Sequence, residues 1–153
     1  MANTLKQNPI PFFSGEFRHA LDEKNRVTIP SRWRQDEPGE FFVFPNPSKP
    51  CLTVMPPAVF QKLGDTSANH ASITSQSHRA FIRHLYSKAQ ICPADGQGRM
   101  LVPEDFCKHA GLKGEVVLAG GSDRFDIWNN ANWKKDQEAS KATIEEVARV
   151  LGL

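Results

Sequence analysis

The chain has 153 residues, 39% hydrophobic and 24% charged, a balance normal for a soluble globular protein, and it fits one ordinary domain or two small units sharing a core. Its net charge of +2 excludes a broadly basic nucleic-acid coat, so any contact with nucleic acid must rest on where a few cations are placed. Three cysteines (Cys51, Cys92, Cys107) cannot all pair and lack close metal-ligand spacing, and no stretch reaches the roughly 20 apolar residues of a membrane span; the expectation is a cytoplasmic protein without metal, cofactor or membrane partner.

In chain order, residues 1–12 lack the basic start and apolar run of a secretory signal and read as a flexible arm. Residues 17–21 alternate apolar and polar side chains, as a half-buried strand does. A turn over Asp22 to Arg26 follows, then a strand over 26–29 ended by Pro30, and a short helix starting at that proline. Residues 41–44 and 51–55 read as strands, and a helix carries Phe60. Residues 65–77, rich in Ser, Thr, Asn and Ala, read as a linker. A helix over 77–87 places Phe81, Ile82 and Leu85 on one face. The strand and turn signals then recur: strands at 88–92 and 99–102, a helix from Pro103 to a stop at Gly111, and strands at 116–119 and 124–128. A helix carrying Trp133 comes next, and another over 137–151 lines up Ile144, Val147 and Leu151.

The recurrence is an internal repeat. Asp22-Glu-Lys-Asn-Arg-Val-Thr-Ile-Pro30 and Asp95-Gly-Gln-Gly-Arg-Met-Leu-Val-Pro103 share the pattern D-x-x-(G/N)-R-apolar-x-apolar-P, 73 residues apart. Trp33 matches Phe106 at the same offset. After a two-residue insertion residues 40–44 match 115–119, and the offset then returns to 73, setting 52–55 over 125–128 and Phe60 over Trp133. The expected organisation is an arm at 1–12, one repeat at 13–64, a linker and helix at 65–87, a second repeat at 88–136 and a C-terminal helix at 137–153. The fold class is mostly β with short helices (α+β).

The repeated turn carries the chemistry. Asn25 and Gly98 occupy the slot that needs positive φ, which these two residue types tolerate best. One tip presents Lys24 and Arg26, the other Gln97 and Arg99. An arginine fork suits phosphate oxygens or a guanine edge. Asp22 and Asp95 can equally brace the turn by pairing with Arg26 and Arg99, and the two roles are compatible because a braced arginine keeps donors free. An approximate two-fold axis would bring the tips side by side against a duplex. Arg18, His19, Arg32 and Arg34 flank the first copy, either as a solvated face or as secondary phosphate contacts.

Two other classes compete with DNA binding. A shared-proton carboxylate dyad of Asp22 and Asp95 is disfavoured because both would lie in wet tips. The five histidines show no metalloprotease spacing, so no catalytic residue is expected. An assembly module or antitoxin-like partner would use the loops on protein, but the aromatic positions fit core packing and the C-terminus is apolar and helical.

The pattern F-x-G-E-F-x-H-x-L-D-E-K-N-R-V-T-I-P from Phe13 to Pro30 resembles the opening of MraZ proteins. The second copy, C-x-x-D-G-Q-G-R-M-L-V-P from Cys92 followed by Asp126-Ile-Trp128 and Trp133, resembles their closing half. The resemblance implies an AbrB/SpoVT-like fold, with two repeats of one chain forming a pseudo-two-fold, double-psi or swapped-hairpin barrel. It implies a nucleoid-associated transcription regulator that acts on its own promoter and on the division and cell-wall gene cluster. The DNA partner would carry promoter repeats, and the protein would form a ring-shaped homo-oligomer. On that basis Arg26 and Arg99 are the main DNA contacts, with Lys24 and Gln97 in support, Asn25 and Gly98 shaping the turns, and Asp22 and Asp95 bracing them. Asn25 departs from the glycine usual there, at an expected cost of roughly 1 kcal/mol.

Overall fold

The computed structural model describes residues 12–34 and 39–153, so the expected arm falls outside it apart from Phe12. In order come β1 (Glu16–Ala20), β2 (Arg26–Thr28), a 3-10 turn (Ser31–Trp33), β3 (Glu40–Pro45), β4 (Leu52–Met55), α1 (Pro57–Asn69) and α2 (Ser75–Lys88). The second half holds β5 (Gln90–Pro93), β6 (Arg99–Leu101), α3 (Glu104–Ala110), β7 (Glu115–Gly120), β8 (Phe125–Asn129) and α4 (Asn130–Val150). Gly111 ends α3 in the left-handed conformation at φ 62°, as the sequence predicts.

The repeat folds by exchanging strands. Each copy opens with a hairpin pinned only at its neck, where Asp22 N–H donates to Arg26 O at 3.0 Å and Asp95 N–H to Arg99 O at 2.9 Å. Beyond the neck the arms part and pair with the other copy. β1 runs antiparallel to β7 while β5 runs antiparallel to β3, and β2 pairs with β6. The registers correspond: Ala20 faces Glu115, and its equivalent Pro93 faces Glu40. In the β2–β6 pair Val27 faces Met100, its own counterpart, so the pseudo-two-fold axis passes between them. The mixed α and β architecture and the swapped hairpins match expectation, but a closed barrel is not what the ladders draw. They form an open six-strand sheet, β1-β7-β8-β4-β3-β5, and a separate two-strand ribbon. A single Ala94–Met100 bridge joins the ribbon to the chain just after β5.

Both faces of the sheet are covered, which is why β4, β7 and β8 read as apolar runs rather than strict alternations. One face, with Phe41, Val43, Leu52, Val54, Leu118 and Ile127, packs against Val27 and Met100 of the ribbon and against Trp33 and Phe106 of the short helices. At its centre Phe125 meets Trp33 at 4.8 Å and Phe13 at 5.3 Å between ring centroids. Trp33 keeps its indole N–H satisfied on Ser14 O at 3.1 Å. On the opposite face Phe44, Met55, Phe60 and Leu85 join α1 and α2 to the sheet, with Phe42 stacked on Phe60 at 4.2 Å. Trp133 of α4 covers Val117 and Trp128 on the same side.

Several helical boundaries differ from expectation. The stretch 65–77 read as a linker is helical to Asn69, and α2 begins at Ser75, leaving a turn of five residues. One of its small side chains packs: Ser67 is buried, with its Oγ 2.8 Å from His78 Nδ1, and just before the stretch a Cβ on Gly64 would sit 3.7 Å from Ile82. Thr74 caps α2 by accepting from Ser77 N–H at 3.1 Å. The helix also keeps Lys88, expected to open a strand, so β5 starts at Gln90. Toward the C-terminus, the helix carrying Trp133 and the one expected over 137–151 are a single 21-residue α4, capped by Asn129 accepting from Asn132 N–H at 2.6 Å.

Candidate nucleic-acid interface

The two repeated turns are built alike, bond for bond. In the first, Asp22 Oδ1 accepts from Lys24 N–H at 2.9 Å and Arg26 N–H at 2.8 Å, while Oδ2 accepts from Arg26 Nε at 2.8 Å. In the second, Asp95 Oδ1 accepts from Gln97 N–H and Arg99 N–H, and Oδ2 from Arg99 Nε, each at 2.9 Å. Asn25 at φ 60° and Gly98 at φ 80° supply the left-handed step. Aspartate is required here because one oxygen must reach two backbone donors while the other faces the guanidinium. Only Nε of each arginine is used, so the terminal nitrogens have no partner among the described residues.

These bonds hold both carboxyls below the usual aspartate range. The backbone N–H of Arg26 contributes most at Asp22 and that of Arg99 most at Asp95. Two ionised carboxylates, each committed to its own arginine, do not make a shared-proton dyad. All three cysteines are buried and free, with burial pushing every thiol upward, Cys92 to about 11. No group of side chains suited to hold a metal occurs among the described residues.

The β2–β6 ribbon mounts the turns at its two ends. Val27, Ile29, Met100 and Val102 point into the core, so Arg26, Thr28, Arg99 and Leu101 share the outer face. Arg26 stands opposite Leu101 and Arg99 opposite Thr28, which sets the arginines on a diagonal, about 7–8 Å apart by sheet geometry. The tips therefore lie at opposite ends of one ribbon rather than side by side.

The flanking cations scatter. Arg18 is tied to Asn130 at 2.7 Å and Glu16 at 3.1 Å, Arg32 lies 5.6 Å over the Phe17 ring, and His19 sits opposite Val116 in the sheet. Arg34 goes to the second turn, where its guanidinium covers Gly98, although by sequence it follows the first. Spacing alone gives no sign of this, because the contact depends on the exchange of strands.

Both copies match the family described as "MraZ protein, putative antitoxin-like", over residues 12–84 and 85–152. The chain is 35% identical to the transcriptional regulator MraZ of Pediococcus pentosaceus, with 91% of this chain and 96% of that protein covered. Identity to the transcriptional regulator MraZ of Heliobacterium modesticaldum is 37% over the same shares. To that of Clostridium acetobutylicum it is 36%, covering 84% of this chain and 89% of the relative. With both halves matched by one family and relatives of this identity aligned over nearly their whole length, the chain belongs to the MraZ family.

Proposed function

We propose that the chain is a transcription regulator that binds double-stranded DNA sequence-specifically through the outer face of the β2–β6 ribbon. Arg26 and Arg99 are the principal contacts, Lys24 and Gln97 assist, and Asn25 and Gly98 hold the turns open under the bracing of Asp22 and Asp95. The observation that carries this reading is the pair of arginines, each fixed through Nε alone, with its terminal nitrogens unpartnered among the described residues. A two-stranded ribbon fits the roughly 12 Å major groove of B-DNA. The relatives' description as transcriptional regulators supports the same reading.

The targets proposed are the chain's own promoter, with repeated boxes, and the division and cell-wall gene cluster, bound by a ring-shaped homo-oligomer on the nucleoid in the cytoplasm. The exposed stripe of Ile144 and Val147 on α4, continued by Leu151 at its C-cap, supports assembly. No described helix is long and apolar enough to cross a membrane.

Fluorescence anisotropy with the DNA upstream of the chain's own gene, against an unrelated duplex, tests the proposal. Specific binding that weakens with salt and is lost in Arg26→Ala with Arg99→Ala is expected. A folded protein with no preference for its own upstream DNA would instead favour an assembly module.

A further inference from the structure

The two turns differ in one respect that the repeat conceals. Arg34, at the end of the 3-10 turn, donates through Nε to Ile29 O at 2.9 Å, while Ile29 N–H donates to Gly98 O at 2.8 Å. Its guanidinium thereby lies directly on Gly98, which is buried beneath it, and a Cβ at that position would collide with it. The counterpart of Arg34 in the second copy is Cys107, whose Sγ reaches Val102 O at 3.9 Å, the counterpart of Ile29 O. Val102 N–H in turn donates to Asn25 O at 2.8 Å. At the first turn the neighbour supplied by the other copy is thus a short thiol, and the turn residue there is a half-exposed asparagine.

The cations at the tips differ in number. The first turn carries Lys24 and Arg26, with Glu23 between Asp22 and Lys24, whereas the second has Gln97 where the first has Lys24 and Gly96 where the first has Glu23. We propose that Arg34 supplies the second tip with its second cation, contacting a DNA phosphate beside the base step reached by Arg99. This rests on the DNA-binding reading above and goes beyond it. Each tip then has two cations of different chemistry, an ammonium with a guanidinium at one end and two guanidiniums at the other. Lysine acts as a mobile point charge, whereas arginine presents a fixed fork. One chain therefore grips its DNA unequally at the two ends, and the preferred site has a direction despite the pseudo-two-fold axis.

The test is anisotropy against the upstream duplex over a range of salt, with Arg83→Ala on the exposed side of α2 as a remote control and circular dichroism to verify folding. Arg34→Ala is expected to weaken binding about tenfold and to lower the salt slope by about 0.9, the share of one phosphate. Adding Gln97→Lys to that variant is expected to restore most of the slope, because it returns a cation to the second tip in the way Lys24 serves the first. Wild-type affinity and slope in Arg34→Ala, with Arg99→Ala impaired, would overturn the assignment of Arg34 and leave the loop reading standing. Weaker binding with an unchanged slope and no rescue by Gln97→Lys would overturn it too, reducing Arg34 to a brace. If Arg26→Ala and Arg99→Ala both bind as wild type, the loop reading itself fails and this proposal with it.

Discussion

Thr53 and Asp126 occupy the same position in the two copies and face each other across β4 and β8, with Thr53 Oγ1 donating to Asp126 Oδ1 at 3.0 Å. The pseudo-two-fold axis that passes between Val27 and Met100 in the ribbon therefore passes between this pair in the sheet, where identical side chains would have met their own kind. An unlike pair resolves the conflict, and Asn46 Nδ2 completes it by donating to Thr53 Oγ1 at 2.9 Å. Burial is the main reason that the Asp126 carboxyl is raised above the ordinary aspartate range, with the Thr53 bond opposing it.

From this follows a pH dependence. With its folded pKa above the unfolded value, Asp126 favours the fold fully below the unfolded pKa, and that contribution is lost as pH rises through the folded pKa. Asp126→Asn keeps an acceptor for Thr53 without a charge to desolvate. Urea midpoints should be higher for the variant than for wild type at pH 7, with the gap closing toward pH 4. A constant gap across that range would reject this account.

Asp22 and Asp95 work in the opposite direction. Their folded pKa values lie below the unfolded ones, so their contribution is present above the unfolded pKa and is lost as pH falls through the folded pKa. Asp95→Asn should lower stability at pH 6 relative to wild type, with the difference shrinking as pH falls through the folded pKa. It should also weaken DNA binding less than Arg99→Ala does, since the fork survives and only its brace is loosened. Equal losses of affinity would show that bracing, rather than contact, dominates the tip.

Substitutions at the two turn residues should not behave alike. Gly98→Ala must place a side chain at φ 80° and displace the Arg34 guanidinium, costing about 1–2 kcal/mol in urea unfolding. Asn25→Gly relieves a left-handed asparagine with no arginine above it and should change stability by less than about 1 kcal/mol. Similar costs at both sites would argue against the asymmetry between the turns.

Phe125 packs simultaneously on Phe13, Trp33 and Phe41, which come from three separate segments. Phe125→Ala should cost about 3–5 kcal/mol in equilibrium unfolding, with the denaturant slope unchanged. A loss below about 1 kcal/mol would mean that the aromatic cluster collapses into the space left behind.

Much of this fold is legible in the chain because its signals are local. Alternation marks β1, and the Asp-to-Pro motif announces both turns and both ribbon strands. What escapes is set by partners distant in sequence. Ser67 looks like a linker residue until α2 lies against it, and nothing near Asn130 says that one helix rather than two will follow. The site divides in the same way. Asp22–Arg26 and Asp95–Arg99 are close neighbours, so spacing reveals their pairing, whereas Arg34 reaches Gly98 only because the hairpins exchange partners.

That exchange also sets a timetable for folding during synthesis. β1 leaves the ribosome early, but its partner β7 ends at Gly120, about a hundred residues later. At roughly 5–20 residues per second the strand waits about 5–20 s for its pair. Until then Phe13, Phe17 and Trp33 have no completed sheet to pack on, and β3 awaits β5 as well as β4. Nascent chains in this interval expose an apolar surface and unpaired strands in the presence of other copies doing the same. Newly made protein is therefore expected to depend on holding chaperones more than a chain of this length with local strand pairing would.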